Sequence, residues 1–351
     1  MLFSVIIPVC NGERYLRECI DSAMNQQINA GGMDIDALYE VIAVDNGSTD
    51  STGQICDEYA ERFGNFTVLH REAIGLYAAR QVGISAARGE WILALDADDV
   101  LDKLMLDKLM RHITKMQKSG RPLDIVCFNA SVLGGAGKAM FDHPFKEKVY
   151  SGPEKKAFFD VLCAGDSLNT MWTKCIRRKI AYLGREDLYL NFGEDQYQTA
   201  QYLDMAAGVS YLPGSLYFYR RNENSITAKF SEAYLPNQKI VWKKFDELVA
   251  KWNEEPEVLN RILERKALTC TIAVTKVIYS GLSFSDKKKH LSGITKDDFY
   301  RANYLNALPS WAPEESVYVH ALQVGKRGDI RLLIQAAKSG VKAAVKRLLH
   351  K

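Results

Sequence analysis

Short apolar runs alternate with amphipathic stretches over the first hundred residues of the chain. Between the runs, apolar residues recur at helical spacing, as in the stretch YLRECIDSA that follows Asn11. This order predicts a mainly parallel sheet with helices on both faces, which is an α/β fold. The four runs that have the length of buried strands are SVIIPV (residues 4–9), VIAV (41–44), TVLH (67–70) and WILAL (91–95).

The regular alternation ends after a fifth predicted strand at residues 124–130, and the pattern becomes helical from about residue 235 onward. We therefore expect an α/β domain over 1–235, with a regular half (1–100) and a less regular half (101–235), and a helical region over 236–351. The other predicted elements are helices over 51–62, 75–87, 102–118, 154–164, 170–181 and 195–206, and strands over 208–212 and 216–220.

Polar residues follow three of the predicted strands directly. They are Asn11, the pair Asp45 and Asn46, and the acidic stretch DADD at 96–99. Ligands of open α/β sheets bind beyond the carboxyl ends of the strands, so these loops predict a shared binding edge. The loop VDNGSTD at 44–50 has the composition of a plain turn, but its carboxylate and amide groups also suit a nucleobase and ribose.

The stretch DADD has two interpretations that the residues alone leave open. Asp98 or Asp99 could cap a helix that begins near Asp102. Capping requires only one acid, however, and three carboxylates beyond a buried strand favour a bound cation. Mg²⁺ or Mn²⁺ binds oxygen ligands and is held by one or two carboxylates together with substrate phosphates.

Composition and charge narrow the class of protein. The chain has 351 residues, and its seven cysteines never form a C-x-x-C pair, which argues against a structural zinc site. The N-terminus resembles a strand more than a signal peptide, and no apolar run is long enough to span a membrane, so we expect a cytoplasmic location. Lys and Arg outnumber Asp and Glu by nine after residue 235, whereas the first 235 residues are net acidic by six. No nucleic-acid partner is expected.

Four sequence blocks, taken together and in this order, resemble the inverting family 2 glycosyltransferases with the Rossmann-like GT-A fold, of the bacterial surface-polysaccharide type. The resemblance covers roughly residues 3–228 and implies a catalytic domain over 1–235, with a nucleotide-binding half (1–100) and an acceptor-side half (101–235). The blocks are SVIIPVCNGERYLRECIDSAMNQ, VIAVDNGSTDSTGQICDEY, GLYAARQVGISAARGEWILALDADD and NFGEDQYQTAQYL.

The resemblance implies a role for residues in the first three blocks. Pro8, Val9 and Asn11 would line the nucleotide pocket, and Asp45 and Asn46 would contact the base, although Asn46 replaces the commoner second Asp. Arg80 would contact the nucleotide or its diphosphate; the alternative is a surface salt bridge. Asp96-Ala97-Asp98 would be the D-x-D motif, with Asp98 as the preferred ligand of Mn²⁺ or Mg²⁺ and Asp96 or Asp99 assisting.

The fourth block implies the catalytic base. Asp195 would deprotonate the acceptor hydroxyl, with Glu194 beside it in the substrate site, whereas the alternative for both is capping of a helix. Trp172 resembles an acceptor-side tryptophan that stacks on a sugar, although it could equally be a core residue. Arg220 or Arg221 would bind the diphosphate, because paired arginines suit bidentate phosphate contacts.

Two segments depart from the family pattern. Residues 28–38 form a long, Gly-rich insertion that is either a surface loop or a mobile lid. Near the C-terminus, apolar residues of 330–348 form one stripe on a predicted helix whose other faces are basic. Such a helix binds an anionic membrane surface, here the inner face of the cell membrane, or it docks on protein and forms a homodimer.

The sequence therefore predicts a metal-dependent inverting glycosyltransferase. It would move a sugar from a nucleotide-diphosphate donor, in the first place a UDP-sugar, to a hydroxyl of a glycan or lipid-linked glycan acceptor. A nucleotidyltransferase is one rival, but SVIIPVCNGERYL lacks the Gly-rich, basic triphosphate loop that it would need. A non-catalytic nucleotide-sugar-binding scaffold is the other rival, and the intact Asp96, Asp98 and Asp195 argue against it.

Overall fold

The structure, a computed structural model, describes residues 1–29, 31, 34–221, 230–252 and 254–324, together with residues 331, 332, 334, 335 and 338. Its internal contacts divide the chain into two compact units. The first unit holds Met1–Leu162 and Asp166–Asn222, and the second holds Cys163–Gly165 and Glu223–Lys351. The sequence had predicted the boundary near residue 235.

The first hundred residues fold as alternating strands and helices, as the apolar pattern predicts. Every residue of the first, second and fourth strands is buried, because helices cover both faces of the sheet there. The third strand lies at the sheet edge and is half-exposed. The elements are β1 (Phe3–Val9), α1 (Leu16–Met24), β2 (Tyr39–Asn46), α2 (Thr52–Arg62), β3 (Phe66–Arg71), α3 (Leu76–Ala86) and β4 (Trp91–Ala94).

The rest of the first unit is less regular. A 3-10 helix at Gly152–Lys155 precedes the fifth helix, and a second 3-10 turn at Met171–Thr173 precedes the eighth strand. The elements are β5 (Val100–Leu101), α4 (Met105–Gln117), β6 (Ile125–Val132), β7 (Val149–Ser151), α5 (Lys156–Ala164), β8 (Lys174–Arg177), α6 (Arg178–Ala181), α7 (Glu194–Met205) and β9 (Gly208–Tyr219).

Among the described residues, all of these strands join one sheet in the order β3-β2-β1-β4-β8-β6-β9-β5, with β7 paired to β9. The predicted mainly parallel sheet is correct for β1 to β4, which are mutually parallel. Beyond β4 the sheet is mixed: β8 runs antiparallel to both β4 and β6, and β5 and β7 run antiparallel to β9. The fold is therefore α/β with a mixed acceptor-side half.

One local prediction is wrong, and one of the two interpretations of DADD is excluded. The predicted helix over 170–181 is divided into the 3-10 turn at Met171–Thr173, strand β8 and the short helix α6, because the ladder between β4 and β6 outweighs the helical spacing of its apolar residues. The stretch 96–99 caps no helix, since a turn and the short strand β5 separate it from the start of α4 at Met105. Ser51 makes no capping hydrogen bond with its side chain at α2. Instead the Asp50 carboxylate accepts the Thr52 N–H group at 3.0 Å.

The second unit is helical in its described part, as predicted. Its core forms around the middle of the ninth helix, where Cys270, Val274 and Val277 pack with Leu291 and Val319. Among the described helices, none combines the length and hydropathy that crossing a bilayer requires. The predicted amphipathic helix over 330–348 lies mostly outside the described residues, as does part of the 28–38 insertion. The helices are α8 (Tyr234–Trp252), α9 (Pro256–Ile278), α10 (Phe284–Lys296), α11 (Asp298–Asn303) and α12 (Glu314–Gln323).

The close packing of α3 on the sheet gives a stability prediction. A Cβ atom at Gly83 would lie 2.5 Å from Ile6 Cγ2 and 3.1 Å from Val44 Cγ2, both in the closed core. Gly83→Ala should therefore lower the free energy of unfolding by about 1–3 kcal/mol in chemical denaturation, despite the better helix propensity of Ala. Gly64→Ala is the control, because a Cβ atom there meets nothing within 4 Å. Equal stability of the two variants would contradict this packing.

Candidate active site

The loops that follow β1 and β2 are joined by hydrogen bonds at the carboxyl edge of the sheet. The Asn11 N–H group donates to Ser48 Oγ at 3.0 Å, and the Thr49 N–H group donates back to Asn11 Oδ1 at 2.8 Å. Gly12 N–H donates to Thr52 Oγ1 at 2.8 Å. Asn11 has a left-handed backbone (φ 53°), which Asn adopts more readily than most residues. Its amide oxygen therefore fixes the neighbouring loop.

Asp45 and Asn46 organise the second loop in a similar way. Asp45 Oδ1 accepts the Ser48 N–H group at 3.1 Å, and Asn46 Oδ1 accepts the Ile74 N–H group at 2.8 Å. Although desolvation opposes it, the hydrogen bonds from Ser48 and His70 lower the pKa of Asp45. Both side chains are largely buried. Their side chains therefore fix the loop that the sequence predicts to contact the base.

Pro8 and Val9 lie at the end of β1, and both are buried. They pair with Val44 and Asp45 in the parallel ladder with β2, which places them directly beneath the two polar loops. The Val9 side chain belongs to the apolar core. These two residues support the predicted pocket through their position in the sheet.

Arg80, in α3, is the charged centre of the site. Its side chain is only 1% exposed, so the surface salt bridge that the sequence left as an alternative is wrong. Nη1 donates to Asp195 Oδ1 at 3.0 Å, and Nη2 lies 3.5 Å from Asp96 Oδ1. Although burial opposes it, the charges of Asp195 and Asp96 raise the pKa of Arg80. One guanidinium thus connects the loop after β4 with the start of α7.

The three carboxylates of DADD differ in their surroundings. Asp99 is 1% exposed, and its two oxygens accept from Tyr217 Oη at 2.7 Å and from the Arg220 N–H group at 2.7 Å. Desolvation, and then the charge of Asp96, raise the pKa of Asp99 to about 8. Asp99 therefore holds the end of β9 in place, and these two contacts do not support its predicted role as an assisting metal ligand. Asp96 and Asp98 are half-buried at the edge.

Asp96 and Asp98 fit the predicted cation only if substrate phosphates supply further ligands. Among the described residues, no three His, Cys, Asp or Glu side chains come together as a metal-binding group. Desolvation raises the pKa of Asp96 to about 7, the Asp195 and Asp98 charges act in the same direction, and Arg80 opposes them. A divalent cation bound to one or two carboxylates and to substrate phosphates would offset this crowding of negative charge.

Glu194 and Asp195 begin α7, after Gly193 in a left-handed conformation. Asp195 Oδ1 accepts from Arg80, and Oδ2 accepts the Met171 N–H group at 3.2 Å. Its side chain is 22% exposed, so it stays accessible while it is held in place. Desolvation, and then the Asp195 charge, raise the pKa of Glu194 to about 8. The two adjacent carboxyl groups therefore have different surroundings.

Trp172 lies among aromatic rings. It is 6% exposed and stacks on Tyr217 and Tyr219, with ring centroids 4.7 Å and 5.8 Å away. Of the two roles that the sequence left open, this packing favours the core residue. A ring packed against these two tyrosines helps to fix the end of β9, which leads to the predicted diphosphate-binding arginines.

Arg220 and Arg221 have different surroundings. Arg220 Nε donates to the Asp98 carbonyl oxygen at 2.8 Å, and its guanidinium pairs with Glu18 and lies over the Tyr15 ring. These contacts connect the acidic loop to α1, so they do not support a diphosphate contact by Arg220. Arg221 is exposed and borders, with residues 135–140, a cavity of about 540 Å³. Of the two arginines, Arg221 therefore remains the candidate for the predicted phosphate contact.

Three residues of the site were missed by the sequence analysis. His70 ends the apolar run of β3 at the same carboxyl edge, so its position could have been read from the pattern. No comparable sequence pattern marks Tyr217 or Lys174 as residues of the site. Tyr217 Oη accepts the Asp96 N–H group at 3.1 Å, and Lys174 is buried beside the segment that contacts Asp195. Only the three-dimensional pairing of β8 and β9 with the rest of the sheet brings them to the site.

His70 gives a pH-dependent prediction, because its ring nitrogens lie 3.0 Å from the carboxylates of Asp45 and Asp57. The hydrogen bond with Asp45, and then that with Asp57, raise the pKa of His70. Because the pKa of His70 is higher in the folded than in the unfolded state, the protonated ring stabilises the fold. This stabilisation is complete below the unfolded-state pKa of about 6.5 and is lost as the pH rises through the folded-state pKa. The difference in unfolding free energy between wild type and His70→Gln should therefore be larger at about pH 5.5 than at about pH 8.5. An equal difference at both values, measured by urea denaturation, would rule out this ion pair.

Comparison with known proteins finds a family match for the first part of the chain. Residues 4–131 match the family model described as Glycosyl transferase family 2. The chain is 31% identical over 234 residues to EpsH of Bacillus subtilis (65% of this chain, 63% of EpsH). It is 28% identical over 241 residues to the glycosyltransferase GlyA of Streptococcus pneumoniae (66% of this chain, 32% of GlyA). The chain thus spans less than two thirds of the length of either relative.

A solved structure supports the fold. Staphylococcus aureus TarS, residues 1–349 in complex with UDP-GlcNAc, superposes with a TM-score of 0.53 over 99% of this chain and 92% of that one, at 19% identity. A second TarS structure gives a TM-score of 0.51 over 97% of this chain and 54% of that one, at 20% identity. At such identity the likeness concerns the fold alone. Residues 4–131 therefore match glycosyl transferase family 2, and the chain shares the GT-A fold of TarS.

Proposed function

We propose that this chain transfers a sugar from a UDP-sugar to an acceptor hydroxyl with inversion at the anomeric carbon, and that Asp195 is the general base. The observation that carries the proposal is the setting of Asp195. Its carboxylate is accessible, yet it is held by two donors at the carboxyl edge of a family 2 sheet. A sugar hydroxyl is a poor nucleophile, and a positioned base accelerates its attack by about 10²–10⁴-fold.

Two hydrogen-bond donors orient the Asp195 carboxylate. The Arg80 guanidinium and the Met171 N–H group both donate to it. Asp195 also lies in the first turn of α7, whose N-terminus is the positive end of the helix dipole. A carboxylate that is held in one orientation at an accessible position is able to accept a proton from the acceptor hydroxyl.

Glu194 is less suited to this role. Its pKa of about 8 means that it is mostly protonated near neutral pH, so it is a hydrogen-bond donor rather than a base. We assign Glu194 to binding the acceptor or the transferred sugar. A single base on the acceptor side is consistent with one in-line displacement, and therefore with inversion.

The opposite side of the site would receive the leaving diphosphate. Asp96 and Asp98 would hold Mn²⁺ or Mg²⁺ together with the phosphates, and that cation would supply positive charge to the departing UDP. Arg221 would contact the diphosphate from the end of β9. Arg80 keeps Asp96 and Asp195 at a fixed separation, because both bind its guanidinium.

The donor and acceptor classes rest on similarity and on chemistry. The TarS structure was determined with UDP-GlcNAc, which makes a UDP-sugar the first donor to test. We propose a glycan or lipid-linked glycan of bacterial surface-polysaccharide assembly as the acceptor. A panel of UDP-, GDP- and dTDP-sugars, assayed for nucleotide release with Mn²⁺, tests the proposal directly. Release of pyrophosphate from a nucleoside triphosphate and a sugar phosphate would instead indicate a nucleotidyltransferase.

The base assignment predicts the effect of removing one charge. Asp195→Asn keeps the size of the side chain but cannot accept the proton, so kcat for nucleotide release should fall about 10²–10⁴-fold with little change in donor affinity. Glu194→Gln should lose less, because the wild-type side chain is already mostly neutral. Asp187→Asn is the control, since Asp187 is exposed and pairs only locally with Arg185. Retained turnover in Asp195→Asn would refute this mechanism.

The cation assignment predicts how nucleotide binding responds to chelation. UDP affinity, measured by calorimetry, should fall on adding EDTA and return with excess Mn²⁺, because phosphate oxygens complete the ligand set. Asp98→Asn should abolish this response. Asp102→Asn should keep it, because the Asp102 carboxylate lies in the same acidic stretch but binds Lys108 and the Leu104 N–H group. Affinity that is indifferent to EDTA would exclude a metal-dependent donor site.

A further inference from the structure

The segment that precedes β8 is held by side-chain donors on every one of three successive carbonyl groups. Lys174 Nζ donates to the Leu168 oxygen at 2.7 Å and also to the Thr170 oxygen. The Asn169 oxygen accepts from Thr199 Oγ1, in α7, at 2.7 Å. The next peptide N–H group, that of Met171, is the one that binds Asp195. The backbone beside the candidate base is therefore fixed from both sides.

The geometry of the peptide unit connects these contacts. The Thr170 carbonyl and the Met171 N–H group belong to one planar, trans peptide, so they point in opposite directions. When Lys174 holds the carbonyl oxygen, the N–H group is directed away from the ammonium group and toward Asp195 Oδ2, 3.2 Å from Met171 N. The orientation of this donor is thus coupled to the position of a lysine that does not itself contact the carboxylate.

We propose that Lys174 is a positioning residue for catalysis, because its buried ammonium group orients the peptide unit whose N–H group holds the Asp195 carboxylate. The inference rests on the proposed role of Asp195 as the base. Lys174 would act through this peptide, on turnover rather than on donor binding. No sequence motif that we derived from the residues alone assigned it a role.

The burial of Lys174 supports this function. Its side chain is 1% exposed and lies opposite Cys127 in the ladder between β8 and β6. Burial lowers the pKa of Lys174 to about 8, whereas the charges of Cys127 and Asp195 act in the opposite direction. Burying an amine is costly unless it is hydrogen-bonded, and an apolar side chain would serve simple packing better. The lysine is therefore suited to holding the two carbonyl groups that it contacts.

The test compares Lys174→Met with Lys287→Met. Lys287 is a matched control, because it is 2% exposed and its Nζ donates to the Ile278 carbonyl oxygen within the helical unit. The assay is UDP release from the UDP-sugar that the wild-type chain hydrolyses fastest in the donor panel, with water as acceptor. Lys174→Met should lower kcat about 10–100-fold, while KM for the donor and the Kd for UDP change less than about threefold. Lys287→Met should keep the wild-type kcat at a temperature where both variants are folded.

A second pair of variants tests the peptide itself, in case Lys174→Met does not fold. Met171→Pro removes the N–H donor, and the preceding Thr170 already has the extended backbone (φ −58°, ψ 127°) that a following proline requires. Met171→Leu keeps the donor and most of the volume. Met171→Pro should reproduce the loss in kcat, and Met171→Leu should not.

The outcomes separate the two proposals. An active wild type whose Lys174→Met variant matches Lys287→Met, or whose Met171→Pro variant matches Met171→Leu, overturns the positioning role of Lys174 and leaves the proposed function intact. Full activity of Asp195→Asn, or a wild type that releases UDP from no UDP-sugar, overturns the proposed function and the inference with it. A loss in kcat in Asp195→Asn, Lys174→Met and Met171→Pro, with Lys287→Met and Met171→Leu unaffected, supports both.

Discussion

The site depends on one buried positive charge. Arg80 lies almost entirely out of solvent, and a guanidinium cannot lose its proton under physiological conditions, so its charge must be matched inside the protein. The carboxylates of Asp96 and Asp195 provide the match. Removing one partner of such a buried group typically costs about 3–5 kcal/mol. Electrostatics therefore holds the loop after β4 and the start of α7 together.

This constraint also explains how the acidic stretch is divided. Asp96 faces the arginine, Asp99 faces the hydroxyl of Tyr217, and Asp98 lies between them at the half-buried edge. The three aspartates thus have three different surroundings, although they lie within four consecutive positions of the chain. The role of each aspartate follows from the group that its side chain faces, which the neighbouring sequence does not determine.

Much of the nucleotide-binding half could be predicted from sequence because its strands are continuous apolar runs and its polar loops follow those runs directly. The carboxyl edge that gathers Asn11, Asp45 and Asp96 follows from that order alone. The acceptor-side half could not be read in this way. Strand β8 is four residues long, and it exists because β4 and β6 offer their backbone groups on both sides. The burial of Arg80 was missed for a related reason, since its two partners lie 16 and 115 positions away in the chain.

Strand β8 places the acceptor-side backbone inside the same hydrogen-bonded ladder as the nucleotide-binding strands. Its residues pair with β4 on one side and with β6 on the other. A substitution in this strand would disturb both halves of the sheet together, so the sequence of β8 has little freedom to diverge. The described segment between β6 and β7 contains no strand, joins β6 through the isolated bridge between Ser131 and Ala139, and includes residues 135–140 beside the cavity at Arg221. Insertions and substitutions should therefore accumulate more readily in that loop than in β8, while the sheet that carries the candidate site stays unchanged.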